Sequence, residues 1–366
     1  MATPELVSNY EQLLLARTPL LDVRAPVEFA QGAFPGASNR PLMNDTEREA
    51  VGIAYKEQGQ DAAIALGHQL VSGQVRDERI QSWVDFAKQY PDGVLYCFRG
   101  GLRSQIAQQW LGQAGFEWPR IEGGYKAMRQ FLLKSLTENI KQTPFVVVGG
   151  LTGSGKTDVI EALDAKIDLE GLARHRGSSF GGRAQRQPSQ IDFENNLSIE
   201  LLRLVRTGYE QIAIEDESHL IGRCAVPHVL RQTTQQSTIV WVTAPLDERV
   251  QRIQRDYVES LAADYIDVYG EAQGMQRYEA HLTKSLYNLR KRLGLERYGQ
   301  LQGYLALALA EQSKHGSFDS HQRWIEPLLT DYYDPMYTYQ RQQKSSPIVF
   351  EGTVADVTAY LKSNSH

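Results

Sequence analysis

A lone cysteine at the end of an apolar strand is the first group in this sequence that could act as a nucleophile. Cys97 closes the stretch GVLYCF and is followed by RGGLRS and a helix-forming stretch from about Gln105. A strand, a Gly-rich loop and a helix N-terminus direct backbone N–H groups toward an anion at the sulfur. Arg99 and Arg103 add positive charge. The spacing therefore predicts a nucleophilic thiolate that also holds an oxyanion, in preference to a buried structural cysteine.

A second Gly-rich loop, GLTGSGKT, fits the phosphate-binding pattern G-x4-G-K-[ST]. It follows the buried strand FVVVGG and opens a helix, which is the context that this pattern requires. Its N–H groups are expected to surround a diphosphate, with Lys156 neutralising the oxygens. The predicted phosphate-binding residues are Gly150, Thr152, Gly153, Ser154, Gly155, Lys156 and Thr157. Because the loop recognises a diphosphate, a pyrophosphate ester fits as well as ATP.

Carboxylates follow the next buried strand of the same region. Ile-Ala-Ile at 212–214 leads into Glu215, Asp216 and Glu217. Asp216 is the predicted metal-side carboxylate, and with the Thr157 hydroxyl it would hold Mg²⁺ if that ion is used. The alternative is solvated surface charge, since acidic strand ends are common.

A basic segment lies between these two strands. Residues 171–191 contain four arginines and one histidine but no Asp or Glu. Such a segment fits phosphates or a splayed single-stranded base, with a Phe ring for stacking, and the alternative is an exposed charged loop without a ligand. The predicted contacts to RNA or the diphosphate are Arg174, His175, Arg176, Phe180, Arg183 and Arg186, together with His219 and Arg223.

The whole-chain composition is that of a soluble globular protein. The 366 residues are 42% hydrophobic and 23% charged, which excludes wholesale disorder and suggests two or three domains. Two cysteines are too few for a disulfide framework, and Cys224, without a comparable loop, is interpreted as structural. No window approaches a membrane span, so a cytoplasmic protein without a membrane partner is expected. The net charge of −5 disfavours nucleic acid, but the basic segment provides a local footprint.

Alternating strands and helices predict the domain organisation. The expected fold class is α/β, with a parallel-sheet domain over 1–140 and a P-loop NTPase-like α/β domain over 141–262. A mostly helical extension over 263–366 is expected to pack on the P-loop domain and to end in a short strand and a helix. Its tyrosines either stack on bases or close a helical core. They are Tyr332, Tyr333, Tyr337 and Tyr339.

The first domain resembles the rhodanese family. The resemblance rests on LLDVRAPVEFAQGAFPGASNRPL at 20–42 and on the CFRGGLRS loop. It implies a rhodanese-like fold that carries sulfur or selenium on Cys97, with Asp22 and Arg24 mainly architectural. One departure is that Cys97 to Arg103 is Cys-x5-Arg, one residue longer than common rhodanese loops and equal to those of rhodanese-fold phosphatases. The longer loop suits a larger chalcogen or a phosphate-bearing donor.

The order of all the motifs, including GLARHRGSSFG and EDESHLIGR, resembles the bacterial tRNA 2-selenouridine synthases over nearly the whole chain. The resemblance implies action on wobble 2-thiouridine in the anticodons of the Lys, Glu and Gln tRNAs. It also implies geranyl diphosphate and selenophosphate as co-substrates, with no tightly bound cofactor. In that scheme Lys156, Thr157 and the basic segment bind the diphosphate for S-geranylation. Cys97 is then expected to take selenium from selenophosphate as a selenylated cysteine, with Arg99 and Arg103 holding the phosphate, and to donate the selenium to the activated base.

Three other functions remain open on the sequence. An ATP-dependent tRNA sulfurtransferase of rhodanese type would use ATP and no geranyl diphosphate. A Cys-x5-Arg phosphatase would leave the P-loop domain without a role. A non-catalytic tRNA-binding protein would not need Cys97.

Overall fold

A computed structural model describes residues 5–364, and these form two compact units. The first unit comprises the described residues up to Leu136 together with Ser189–Arg203. The second comprises Thr137–Pro188 and the described residues from Leu204 onward.

The first unit is built on a parallel sheet of short strands. They are β1 (Leu6–Val7), β2 (Leu20–Asp22), β3 (Ser38–Asn39), β4 (Val94–Tyr96) and β5 (Arg120–Ile121). Their order across the sheet is β1-β5-β4-β2-β3, and each pairing is parallel. β2 and β4 are fully buried, as expected for central strands of a sheet that is covered on both faces.

Helices cover both faces of this sheet. They are α1 (Tyr10–Leu15), α2 (Pro26–Gln31), α3 (Asp45–Gln58), α4 (Gln60–Leu70), α5 (Gly73–Gln89), α6 (Leu102–Gln113) and α7 (Gly124–Gln142). Alternate residues of β4 enter different cores, because side chains alternate along a strand. Leu95 packs with Trp83 and Trp110, whereas Tyr96 packs with Met128. Cys97 follows β4 directly and so lies at the carboxyl edge of the sheet.

The second unit contains a second parallel sheet. Its strands are β6 (Phe145–Gly150), β7 (Lys166–Ile167), β8 (Ile212–Glu215), β11 (Thr238–Val242) and β12 (Ile348–Gly352), in the order β12-β11-β6-β8-β7. β9 (Leu220–Ile221) and β10 (Cys224–Ala225) form a separate antiparallel pair. β6 is buried along its whole length, so the loop that follows it is fixed at the centre of the sheet edge.

The remaining helices form a layer beside this sheet and a separate helical core, except for α10, most of which belongs to the first unit. They are α8 (Lys156–Glu161), α9 (Leu169–Ala173), α10 (Gln190–Thr207), α11 (His228–Thr234), α12 (Leu246–Gln254), α13 (Ser260–Tyr269), α14 (Glu271–Leu293), α15 (Leu295–His315), α16 (Gln322–Leu328), α17 (Asp334–Gln342) and α18 (Val354–Ser363). The helical core is centred on Tyr278, Leu282, Leu305 and Trp324. α18 packs instead on the sheet, through Val357 and Leu361.

The predicted fold class is confirmed: two parallel α/β sheets, with a C-terminal part that is mostly helical and ends in a strand and a helix. The division into units differs from the predicted one in two segments. Residues 137–140, expected in the first domain, belong to the second unit. Ser189–Arg203, expected in the P-loop domain, belongs to the first unit. Two hydrogen bonds hold this segment in the first unit: Ala33 N donates to Asp192 Oδ1 (2.7 Å), and Asn195 Nδ2 donates to Ala33 O (2.8 Å). The described residues from 263 onward share a unit with the P-loop sheet.

Within residues 5–364, no helix is both long enough and apolar enough to cross a membrane.

Candidate functional site

The Cys97 thiol lies between the end of β4 and the first turn of α6. Its Sγ is 3.2 Å from Ser104 Oγ and 3.9 Å from the Gly101 carbonyl oxygen. Ser104 Oγ also donates to the Gly101 carbonyl over 2.9 Å. Both Cys97 and Ser104 are buried, and α6 begins at Leu102. The sulfur is therefore held at a helix N-terminus, where backbone N–H groups and the helix dipole favour an anion.

Two glycines after β5 support this loop from behind. Tyr125 N donates to the Cys97 carbonyl over 2.9 Å. A Cβ on Gly124, whose φ is +62°, would lie 2.3 Å from that carbonyl oxygen, and a Cβ on Gly100 would lie 2.8 Å from Gly123 N. Backbone therefore packs on backbone here, and only glycine fits. This support was not predicted from the sequence, although the Gly123-Gly124 pair was a readable signal.

The two arginines of the cysteine loop have different surroundings. Arg99 is exposed. Arg103 forms a two-pronged ion pair with Glu28, at 2.5 and 3.1 Å. Burial opposes the charge on Arg103, but Glu28 and then Cys97 raise its pKa. Arg103 therefore stays charged beside the thiol, and Glu28 is a positioning residue that was not predicted from the sequence.

Asp22 and Arg24 form a buried ion pair at 2.6 Å. The Arg24 guanidinium also donates to the Gly32 carbonyl over 2.9 Å and lies 3.9 Å from the centre of the Tyr125 ring. These contacts tie β2 to the end of α2 and to the start of α7. These contacts agree with the structural role that the rhodanese resemblance implies for Asp22 and Arg24.

The phosphate-type loop connects β6 to α8. Gly153 and Gly155 have φ values of +79° and +97°, which the loop can adopt only because these residues are glycines. Lys156 Nζ donates to the carbonyls of Gly150 (3.0 Å) and Leu151 (3.2 Å), so its side chain folds back over the loop. The predicted phosphate-binding residues are thus brought together on one turn of backbone.

Two arginines one turn apart on α12 hold this loop in place. Arg249 Nε donates to the Thr152 carbonyl over 2.9 Å, and Arg252 donates to the Gly153 carbonyl over 2.7 Å. Arg252 also donates to Asp158 over 2.8 Å. Because the arginines occupy carbonyl groups of the loop, the loop N–H groups stay oriented toward the cavity in front of it.

A cavity of about 330 Å³ adjoins the loop and has both cationic and acidic walls. Its charged residues include Lys156, Arg176, Arg252, Arg255, Glu170, Glu215 and Glu217. Burial, and after it the neighbouring Glu170, raises the pKa of Glu217 to about 8 and that of Glu215 well above its ordinary value. The Glu217 carboxyl therefore holds its proton at neutral pH. Asp158, Glu161 and Asp256 also line the cavity, so it keeps cationic and acidic side chains together. Glu170 and Glu217 were not predicted from the sequence as parts of this site.

The carboxylate predicted to face a metal lies elsewhere. Asp216 forms an ion pair with Lys344 Nζ and is not among the residues that line the P-loop cavity. Among residues 5–364, no group of three or more His, Cys, Asp or Glu side chains is arranged to hold a metal ion. Thr157 and Asp216 thus do not fit as a Mg²⁺ pair, because the Lys344 ammonium occupies the carboxylate.

The basic segment divides into two parts. Arg176 turns toward the P-loop cavity, where it pairs with Asp256 at 3.4 Å. The other arginines of the segment are exposed, as are the two basic residues of the β9–β10 hairpin; these are Arg174, Arg183, Arg186, His219 and Arg223. Gln187 links the segment to the hairpin, since it donates to the Ile221 carbonyl (2.9 Å) and accepts from Arg223 N (2.8 Å).

The structure contradicts the predicted role of Phe180, whereas His175 stays a predicted contact. Phe180 is only 4% exposed and stacks on Trp324 with ring centres 5.4 Å apart. Its ring belongs to the helical core and is not available to a base. Burial, then His281 and Arg183, lowers the pKa of His175, so that side chain carries no positive charge at neutral pH.

The tyrosines of the C-terminal part also differ in their surroundings. Tyr333 is buried in the helical core, and Tyr339 is 64% exposed. Tyr337 lines the P-loop cavity, and its ring centre lies 5.8 Å from Lys156 Nζ. Burial raises the pKa of Tyr337, so its hydroxyl stays protonated and can donate a hydrogen bond.

Comparisons with known proteins agree over almost the whole chain. Residues 143–366 match the family model described as the tRNA 2-selenouridine synthase AAA domain. A protein of Pseudomonas savastanoi pv. phaseolicola named tRNA 2-selenouridine synthase is 55% identical, over 98% of this chain and 98% of its own. One of the same name from Bordetella petrii is 53% identical, over 97% and 95%.

A solved N-terminal domain from Clostridium difficile 630, titled as that of an ATP/GTP binding protein, covers 35% of this chain and 99% of its own, at 34% identity and a TM-score of 0.33. The full-length relatives and the family model lead to one conclusion. The chain belongs to the tRNA 2-selenouridine synthase family.

Proposed function

We propose that the chain converts wobble 2-thiouridine of tRNA to 2-selenouridine in two steps, at two separate loops. Family membership makes it a transferase that acts on tRNA. The steps are S-geranylation from geranyl diphosphate at the P-loop and replacement of geranylthiol by selenium from selenophosphate at Cys97. The substrates are the anticodon regions of the Lys, Glu and Gln tRNAs, in the cytoplasm.

The first step activates a poor leaving group. The sulfur on C2 of the base attacks C1 of geranyl diphosphate, the C1–O bond breaks, and pyrophosphate leaves with the electron pair. N3 of the base loses its proton, so the product is neutral. The thiocarbonyl has become a thioether, from which geranylthiol can later depart.

The P-loop cavity offers what a departing pyrophosphate needs. Loop N–H groups, Lys156, Arg176 and Arg252 surround the cavity, and positive charge that is fixed in advance stabilises charge as it develops. The raised pKa of Glu217 keeps its carboxyl neutral, which removes a repulsion from the anion.

The second step is redox neutral when Cys97 attacks phosphorus. The thiolate displaces selenide from selenophosphate, breaking the P–Se bond and leaving S-phosphocysteine, which water hydrolyses to phosphate. The selenide attacks C2, and geranylthiol leaves with the electrons of the C2–S bond. Selenium held on Cys97 through an S–Se bond would need a two-electron oxidant, so the expected selenylated cysteine is not part of this scheme.

The observation that carries the proposal is the pairing of one nucleophile loop with one diphosphate-type loop in a member of this family. A thiol at a helix N-terminus beside charged Arg103 suits a phosphoryl oxyanion. A Gly-rich loop with Lys156 suits a diphosphate. The exposed arginines of the basic segment suit RNA phosphates.

The test is a reconstitution without ATP. Purified chain is incubated with a thiolated anticodon stem-loop and geranyl diphosphate, with and without selenophosphate, and the nucleosides are analysed by mass spectrometry. We expect S-geranyl-2-thiouridine in the first reaction and 2-selenouridine in the second. A strict requirement for ATP, with no use of geranyl diphosphate, would instead establish the rhodanese-type tRNA sulfurtransferase.

A further inference from the structure

The first unit contains a large cavity that was not predicted from the sequence. Its volume is about 1140 Å³, and the cysteine loop forms one wall through Cys97, Phe98 and Leu102. Residues of α3 and α4 also line the cavity, and the whole lining lies within the first unit. The cavity is much larger than a selenophosphate ion requires, since whole drug-sized ligands occupy about 300–1,000 Å³.

Many of the side chains that line the cavity are apolar. They include Val51, Ala63, Ile64, Val71, Ile106 and Trp110. A phosphate or a nucleobase edge needs hydrogen-bond partners, which such a wall does not supply. An aliphatic chain gains free energy by leaving water for this surface.

Four of the lysines and arginines that line the cavity lie on exposed positions, whereas Arg24, Arg103 and Arg129 are buried or half-buried. Arg48, Lys56, Arg99 and Lys126 line it and are exposed. A chain that is apolar at one end and attached to RNA at the other matches this distribution, because the phosphates meet cations while the hydrocarbon is buried.

We infer that this cavity holds the geranyl chain of the S-geranylated base while selenide, released from selenophosphate by Cys97, attacks C2. The inference rests on the proposed function, and it gives the first unit a binding site for a branched hydrocarbon. The chain lies along Val51, Ile64 and Ile106, and the C2–S bond lies at the cysteine loop. The P-loop cavity does not provide such a wall, since charged and polar side chains dominate it.

The test fills the cavity without touching the cysteine loop. Ile64→Trp narrows the apolar wall, and Ile53→Trp is the matched control, because Ile53 on the neighbouring α3 is 49% exposed and outside the lining. Each variant is given selenophosphate and anticodon RNA that carries either an S-geranyl or an S-methyl group. We expect Ile64→Trp to slow selenium exchange at least tenfold, as a rough lower bound, for S-geranyl RNA and less than about twofold for S-methyl RNA. Ile53→Trp should alter neither.

A second variant guards against simple misfolding. Ile64→Ala enlarges the cavity at the same position. The rate of selenium exchange on S-farnesyl RNA, divided by the rate on S-geranyl RNA, should therefore rise roughly several-fold, which is the size of effect that one or more methylene groups have in an apolar pocket. An equal loss on S-geranyl and S-methyl RNA, or no change with any variant, overturns the inference. Slower geranylation from geranyl diphosphate, with selenium exchange intact, also overturns it, because the cavity would then serve the free diphosphate.

Direct binding separates this inference from the proposed function. Equilibrium binding of S-geranyl and S-methyl RNA is measured for the unmodified chain and for Ile64→Trp. The unmodified chain should bind S-geranyl RNA more tightly, and Ile64→Trp should abolish the preference. If the preference is found but no 2-selenouridine forms, the proposed function fails and the cavity assignment stands. If there is no preference, the cavity assignment fails.

Discussion

The cysteine loop of the first unit and the P-loop of the second use the same backbone device with different side chains. Each follows a buried parallel strand, β4 or β6, and each leads into a helix, α6 or α8. Glycines with positive φ shape both turns. The first loop presents a thiol next to a large apolar cavity, whereas the second presents an ammonium next to a smaller, charged one.

In the proposed function, this difference is how one anion-binding geometry supports two reactions. Backbone N–H groups at a helix N-terminus are suited to phosphate oxygens in either loop. The side chain at the loop then decides whether the protein forms a covalent bond, as Cys97 can, or only stabilises charge, as Lys156 can. The comparison therefore predicts that damage to one loop leaves the other reaction intact.

Removal of the thiol should have the largest effect. Cys97→Ala is expected to lower 2-selenouridine formation at least about a thousandfold, because the nucleophile is lost, while S-geranylation continues. Nucleoside mass spectrometry would follow both products. Cys224→Ala, at the other buried cysteine, is the control and should retain both steps. Unmodified 2-thiouridine as the only species in Cys97→Ala would show that the loops do not divide the work.

Removal of the ammonium should have the complementary effect. Lys156→Ala is expected to slow S-geranylation by about a hundredfold to a thousandfold, because the leaving pyrophosphate loses a fixed charge. Selenium exchange on RNA that is already geranylated should stay near the unmodified rate. Lys166→Ala, just beyond α8, is the control. Equal losses in both steps would contradict separate sites.

The exposed arginines should contribute to RNA binding more modestly. Replacing both Arg183 and Arg186 with Gln is expected to weaken anticodon RNA binding several-fold. The slope of log affinity against log salt should also fall by roughly 0.7 for each phosphate of single-stranded RNA that an arginine no longer neutralises. Filter binding at several salt concentrations measures both, with exposed Arg323→Gln on α16 as the control. An unchanged salt slope would remove these residues from the RNA footprint.

The buried carboxyl groups predict the smallest effect, one on stability. The pKa of Glu217 is raised to about 8 in the folded chain, so the folded state binds the proton more tightly than the unfolded state. The contribution of the protonated Glu217 carboxyl to the free energy of unfolding is fully present below the unfolded pKa of about 4.5. It is lost as the pH rises through about 8. The change in melting temperature that Glu217→Gln causes should therefore be more positive at pH 8.5 than at pH 5, by about a few degrees. A pH-independent difference would show that Glu217 is not protonated in the folded chain.

Local patterns in the sequence were enough to predict the two sheets and their loops. Each loop has a strand, glycines and a helix within about twenty residues, and such short-range arrangements are fixed by backbone geometry. The helical C-terminal part and its final strand and helix were predictable for the same reason.

Long-range packing was not readable in the same way. Glu28 reaches Arg103 across 75 positions of the chain, and Asp192 reaches Ala33 across 159. Phe180 was predicted to stack on a base because an aromatic ring in a basic loop has that pattern, but the fold places it on Trp324. The raised pKa of Glu217 depends on burial next to Glu170, which lies nearly fifty positions earlier.

The most direct test of separate sites passes the intermediate from one variant to another. Anticodon RNA is treated with Cys97→Ala and geranyl diphosphate, purified, and then given to Lys156→Ala with selenophosphate alone. We predict that 2-selenouridine forms at close to the rate of the unmodified chain, because Lys156→Ala retains the cysteine loop. Geranylated RNA that Lys156→Ala leaves unchanged, while the unmodified chain converts it, would contradict the account and place both steps at one site.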